Sequence, residues 1–135
     1  MTNEPTYLFV YGTLRRGAGH PSHSLLTGGT ELVGRGHMNG LLYEVDGYPG
    51  AVSSYVEGEY VVGEIYRLLE PDAVLAVLDD YEEAGMGYPE PREYKRCQVT
   101  VKLEDGKDMV AWCYLYNRPT AGLRSIASGD WCGEP

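Results

Sequence analysis

Apolar and polar positions along the chain fall into two rhythms, a period of two for strands and a period of 3.6 for one helix. Near the start, Tyr7-Leu8-Phe9-Val10-Tyr11 sets five β-favouring residues in a row and predicts a strand that breaks into a turn at Gly12. Gly17 to His23 reads as a loop from its Gly and Pro content, with Ser22 a possible cap for a short helix carrying Leu25 and Leu26. From Glu31 to Glu70 come short β-favouring runs: Leu32-Val33, Met38 to Val45, Ala51 to Val56 and Tyr60 to Leu69. Gly34, Gly36, Gly40, Gly58 and a Gly47-Tyr48-Pro49-Gly50 turn separate or bend them. Regular short strands with turn signals point to an antiparallel sheet or small barrel, and glycines within strands suit its corners.

Pro71 to Tyr81 predicts the clearest helix. Pro71 suits the first helical position, and Asp72 favours the positive end of the dipole. Val74, Leu75, Val77, Leu78 and Tyr81 form an apolar stripe to pack on the sheet, and Gly85 is a plausible stop. Two further strands, Tyr94 to Leu103 and Met109 to Tyr116, flank a hairpin turn at Glu104-Asp105-Gly106-Lys107. Arg118 to Pro135 has little periodicity and reads as a loop or short turn laid across the domain.

Composition bounds the class. At 135 residues the chain is read as one domain, 1–135, with a core from about 7 to 131. Twelve Tyr against a single Phe suit half-buried strands and cavity walls, since Tyr joins apolar area to a polar handle. The net charge of −9 argues against a nucleic-acid surface. No apolar run approaches membrane-spanning length and no basic-then-apolar leader opens the sequence, so a cytoplasmic location is expected. Cys97, Cys113 and Cys132 lack metal or redox spacing and read as small, buried or half-buried hydrophobes without disulfides. His20 and His23 are three apart, but no third ligand lies nearby and Pro21 intervenes; a solvated loop is the better reading, and no metal site is expected.

Candidate chemistry gathers at two places. A buried strand running into Gly12 ends in backbone N–H groups on a rigid element, the natural material of an oxyanion site. The helix, for its part, ends in four carboxylates, Asp79, Asp80, Glu82 and Glu83, where the dipole prefers cations. Asp80 and Glu83 read as solvated; a carboxylate retained here among like charges is less easily ionised, as a general base near neutrality requires. Tyr94, Arg96, Trp112, Tyr114 and Tyr116 alternate along the last two long strands, a spacing that suits a cavity wall or a packed sheet face.

Seven short motifs then occur in order: Tyr11-Gly12-Thr13-Leu14, Gly40-Leu41-Leu42-Tyr43, Gly47-Tyr48-Pro49-Gly50, Gly63-Glu64-Ile65-Tyr66, Leu78-Asp79-Asp80-Tyr81-Glu82, Tyr94-Lys95-Arg96 and Ala111-Trp112-Cys113-Tyr114. Together they resemble the γ-glutamylcyclotransferase-like superfamily over almost the whole chain. The resemblance implies an α+β fold, a compact mixed, mainly antiparallel β-barrel with a few short helices. It implies an enzyme that releases 5-oxoproline from a small γ-glutamyl amine or peptide by intramolecular aminolysis, without metal or organic cofactor. By the same resemblance Glu82 is the acid/base, and the backbone of Tyr11, Gly12, Thr13 and Leu14 holds the substrate. Tyr94 and Arg96 are further substrate-binding candidates, with Arg96 or Arg15 available for the substrate's carboxylate. Glu83 stands where a glycine commonly follows the family's glutamate. Beside the enzyme stand two other readings, a non-catalytic module binding an acidic γ-glutamyl-type metabolite and a structural protein with a filled cavity.

Overall fold

The computed structural model describes residues 6–12, 29–45, 48–81 and 94–131, with the side chains of Asp80 and Tyr81 outside that description. Its elements follow the order β1 (Thr6–Val10), β2 (Thr30–Val45), β3 (Tyr48–Ser53), β4 (Tyr60–Leu68), α1 (Pro71–Tyr81), β5 (Tyr94–Leu103), β6 (Asp108–Tyr116) and β7 (Arg124–Ser125). The last two-residue strand lies within the segment expected to be a loop or short turn.

Five strands close on themselves as a mixed barrel. β2 pairs with β4, β4 with β1, β1 with β6, β6 with β5, and β5 returns to β2 through Gly36–Met38 and Val101–Leu103. Among the described residues only the β1–β6 contact, Leu8 opposite Trp112, is parallel. β3 and β7 are added along the far half of β2. One strand thus serves both the barrel and a second small sheet, and its 16 residues make that possible.

Gly34, Gly36 and Gly40, expected to separate or bend short strands, lie inside the single strand β2 and bend it. Its register against β4 slips between Leu32 and Gly34, a bulge that bends the strand. A Cβ on Gly36 would come within 2.7 Å of the Lys102 carbonyl of β5, so the barrel closes where only glycine lets the two backbones approach. Tyr48-Pro49-Gly50, read as part of a turn, forms the first half of β3, since Val45 already pairs with Tyr48. Among the described residues β3 pairs with β2 alone, and such an edge tolerates a proline that cannot donate a ladder hydrogen bond.

β1 is buried on both faces, which is why its apolar run is continuous rather than alternating. Phe9 and Tyr11 point into the barrel with Met38, Leu42, Val61, Ile65, Val101 and Cys113. Leu8 and Val10 face outward onto a second core, where Val74, Leu75 and Leu78 of α1 cover Tyr66, Tyr94 and Tyr114. Val77, expected in the apolar stripe, is 51% exposed. Successive helical residues turn by about 100°, so a stripe centred on Val74, Leu75 and Leu78 leaves Val77 beyond its edge. Cys113 is buried and Cys97 half-buried, directly opposite one another on β6 and β5.

Candidate active site

The carboxyl end of β1 supplies the first half of the site. Tyr11 points into the core with its hydroxyl fully engaged: it donates to the Tyr114 carbonyl at 2.5 Å and accepts from the Ala51 amide at 3.1 Å. The phenol thereby ties the residue before Gly12 to both β6 and β3. Gly12 lies against Pro49, and a Cβ at this position would sit 2.6 Å from Pro49 Cγ. Pro49 is itself held, because Tyr94, 5% exposed, donates its hydroxyl to the Pro49 carbonyl at 2.6 Å. Tyr94 also packs edge-on to the Tyr116 ring, with centroids 5.8 Å apart.

The carboxyl end of α1 supplies the second half. Here the acidic ending has a partner. Asp79 accepts a bidentate interaction from Arg96, Nε to Oδ1 at 2.8 Å and Nη2 to Oδ2 at 3.2 Å. The Tyr114 hydroxyl adds a third hydrogen bond to Oδ1 at 2.7 Å. Both charged side chains retain about a quarter of their exposure. Behind the pair, the Arg96 guanidinium lies 4.7 Å from the Trp112 ring centroid, a cation–π contact that fixes the plane of the fork. A carboxylate at the negative end of the helix dipole is thus offset by a cation brought from the sheet.

Tyr114 touches both halves. Its carbonyl takes the Tyr11 hydroxyl and its own hydroxyl reaches Asp79, so one residue of β6 links the end of β1 to the end of α1. The alternating aromatic face of β5 and β6 is therefore a packed face beneath α1, with Tyr94 and Tyr114 in its core and Trp112 and Tyr116 against it. Glu64 is the one buried charged residue among those described, and its Oε1 accepts from the Tyr66 hydroxyl at 3.0 Å.

Of the residues singled out for chemistry, Tyr11, Gly12, Tyr94 and Arg96 are described, and they converge on Pro49, Tyr114 and Asp79. Thr13, Leu14, Arg15 and Glu82 lie outside the described residues, as do His20, His23 and the possible helix near Leu25. Among the described residues no three His, Cys, Asp or Glu side chains stand close enough to share a metal ion. No described helix is long and apolar enough to cross a membrane.

The linking role of Tyr114 and the pairing of Asp79 were missed from sequence. Part of the signal was there: counting back from Lys102 and Asp108 on either side of the hairpin turn lands Arg96 opposite Tyr114. Which helical carboxylate would meet that pair depends on how α1 docks on the sheet, and no local pattern encodes it.

Comparison with known proteins places this arrangement. A family model described as γ-glutamyl cyclotransferase, AIG2-like, matches residues 8–133. The γ-glutamylcyclotransferase family protein YtfP of Escherichia coli is 37% identical over 125 residues, which cover 92% of this chain and 94% of YtfP. A putative γ-glutamylcyclotransferase of Methanocaldococcus jannaschii is 30% identical over 93% of this chain and 94% of its own. Among solved structures, an AIG2-like protein from Mus musculus superposes with a TM-score of 0.67 at 25% identity, covering 98% of this chain and 86% of that one.

Proposed function

The chain belongs to the γ-glutamyl cyclotransferase, AIG2-like family, and from that premise we propose that it releases 5-oxoproline from a small γ-glutamyl amine or peptide, with Glu82 as acid/base. The observation that carries this reading is the convergence of two chain ends. Tyr114 ties the end of β1, which runs into the Gly12 turn, to the end of α1, which stops one residue before Glu82. An intramolecular aminolysis needs a donor-bearing turn beside a carboxylate, and this linkage of the two element ends supports that reading; Thr13, Leu14 and Glu82 themselves lie outside the described residues.

The substrate's α-amine arrives as an ammonium and is no nucleophile. Glu82 removes a proton, and the freed amine attacks the γ-carbonyl carbon, closing a five-membered ring. Backbone N–H groups of the Tyr11–Leu14 turn receive the oxyanion that forms. The bond to the leaving nitrogen then breaks as the proton held by Glu82 is returned to that nitrogen. The ring nitrogen, still cationic after its attack, gives its second proton to the freed carboxylate, from which it passes to the departing amine, released as an ammonium. The products are 5-oxoproline and an amine. Nucleophile and electrophile belong to one molecule, so binding has only to fold the substrate into its ring-forming shape.

Tyr94 and Arg96 remain in the proposed substrate region. With Nε and Nη2 on Asp79, Arg96 can offer a substrate carboxylate only its remaining edge, and Arg15 is the other cation in the proposal. Incubation with γ-glutamyl amines and dipeptides, followed by mass spectrometry for 5-oxoproline, tests the reading. Saturable binding of such a compound without product would favour the non-catalytic binding module instead.

A further inference from the structure

We propose that Asp79, Arg96 and Tyr114 form a positioning clamp for the catalytic end of α1, setting where the chain leaves the helix toward Glu82. The inference rests on the function proposed above and assigns a task to residues outside the reacting atoms.

The contacts have the form such a task requires. A surface ion pair joined through single flexible contacts holds little, because two long side chains must be ordered to make it. This one is bidentate, shares Oδ1 with a phenol, and is backed by an indole face. Arg96 and Tyr114 are cross-strand partners on β5 and β6, so both donors rise from adjacent points of a closed barrel rather than from a loop. Their acceptor, Asp79, lies in the last turn of α1, two residues before the helix ends at Tyr81. α1 has no basic residue of its own in that turn, so the cation that offsets the dipole comes from the sheet.

Leu78 is the last residue of α1 shown to be fully buried, and the clamp adds a polar anchor one residue further along. The same Tyr114 holds Tyr11 through its carbonyl, so the clamp also relates the helix end to the Gly12 turn. Displacing a reacting group by about 1 Å can cost on the order of 100-fold in rate, which is the scale on which such an anchor matters.

Asp79→Asn, Arg96→Gln and the double variant test the clamp with the best γ-glutamyl substrate. Asn keeps the shape of Asp and removes the charge. The expected result is a fall in kcat of about 10- to 100-fold in each, with KM changed by less than about threefold in Asp79→Asn, which leaves the substrate-facing edge of Arg96 in place. The double variant should lose no more than either single one, because both break the same contact. Tyr114→Phe, which removes one hydroxyl, gives a smaller fall with the same split, and serves if the charge variants fold poorly. Hydrogen exchange read on peptides covering residues 76–81 should show lost protection there and unchanged protection in β1 and β6. Wild-type kcat in Asp79→Asn, a raised KM at unchanged kcat, or additive losses in the double variant would overturn the clamp. A wild type that makes no product overturns the proposed function instead. The clamp is then judged on exchange, where unaltered protection at 76–81 overturns it.

Discussion

At the scale of single residues, the candidate site is built from hydroxyl groups that work as structural ties. Tyr11 shows this most clearly, since its one hydroxyl satisfies a buried carbonyl on β6 and a buried amide on β3. Tyr11→Phe removes the oxygen, keeps the ring, and leaves both backbone groups without that partner. Leaving a buried polar group unsatisfied costs about 1–3 kcal/mol, so Tyr11→Phe is expected to lower the unfolding free energy by at least that much. Tyr94→Phe strips a partner from the Pro49 carbonyl and should cost less. Urea titration of the two variants side by side checks the order. Tyr94→Phe as the more damaging change would contradict the tie assigned to Tyr11. Little of this was legible in sequence: Tyr11 was singled out for its place beside Gly12, and what its hydroxyl would meet depends on strands 40 and 103 residues away.

The elements themselves were more legible, because their signals are local. The helix runs from Pro71 to Tyr81 and the strand β5 from Tyr94 to Leu103, both as read from pattern and caps. Local reading placed glycines at the bends of the barrel but divided one long strand into short runs there. Gly34, Gly36 and Gly40 read as separating or bending short runs; they do bend the chain, but within one continuous strand that touches β3, β4, β5 and β7. Pro49 and Gly50 misled too, since a strand paired on one side among the described residues accepts residues that a central strand refuses. The helix offers its own check. Leu78 is fully buried and Val77 is half exposed, although the two are adjacent and similar in chemistry. Leu78→Ala should cost about 2–5 kcal/mol by removing packed atoms from beneath α1, whereas Val77→Ala should fall within about 0.5 kcal/mol of wild type. Thermal melts of both variants decide the matter, and equal losses would mean that α1 docks on a different face.

For the molecule as a whole, closure of the barrel and the fastening of its last segment belong together. Ile126 is 3% exposed, and its amide donates to the Leu42 carbonyl at 2.7 Å. Three residues on, the Gly129 carbonyl accepts from the Val62 amide at 2.8 Å. The segment after β6 thus clips onto β2 and β4, two walls of the barrel, and Ile126 inserts among Leu42, Ala51 and Val61. A loop laid across the domain was expected here, but a buried core residue within it was not, because one Ile in a polar stretch carries no periodicity. Ile126→Ala should destabilise the protein by about 2–5 kcal/mol, with the loss seen in β2 and β4 as well as in the tail. Hydrogen exchange confined to residues 118–131 would contradict that coupling.

The same long-range geometry brings the ends of β1 and α1 together, and the reaction proposed for that place has one decisive measurement. Wild type and Glu82→Gln are incubated in parallel with a panel of γ-glutamyl amines and dipeptides, and 5-oxoproline is detected by mass spectrometry. Gln preserves the size of Glu and cannot take the ammonium proton, so folding should be unchanged and turnover reduced by at least about 100-fold. The account predicts product from wild type alone, and the substrate turned over fastest names the leaving amine. Equal product from both proteins would contradict Glu82 as the base, and silence from wild type across the panel would contradict the cyclotransferase reading itself.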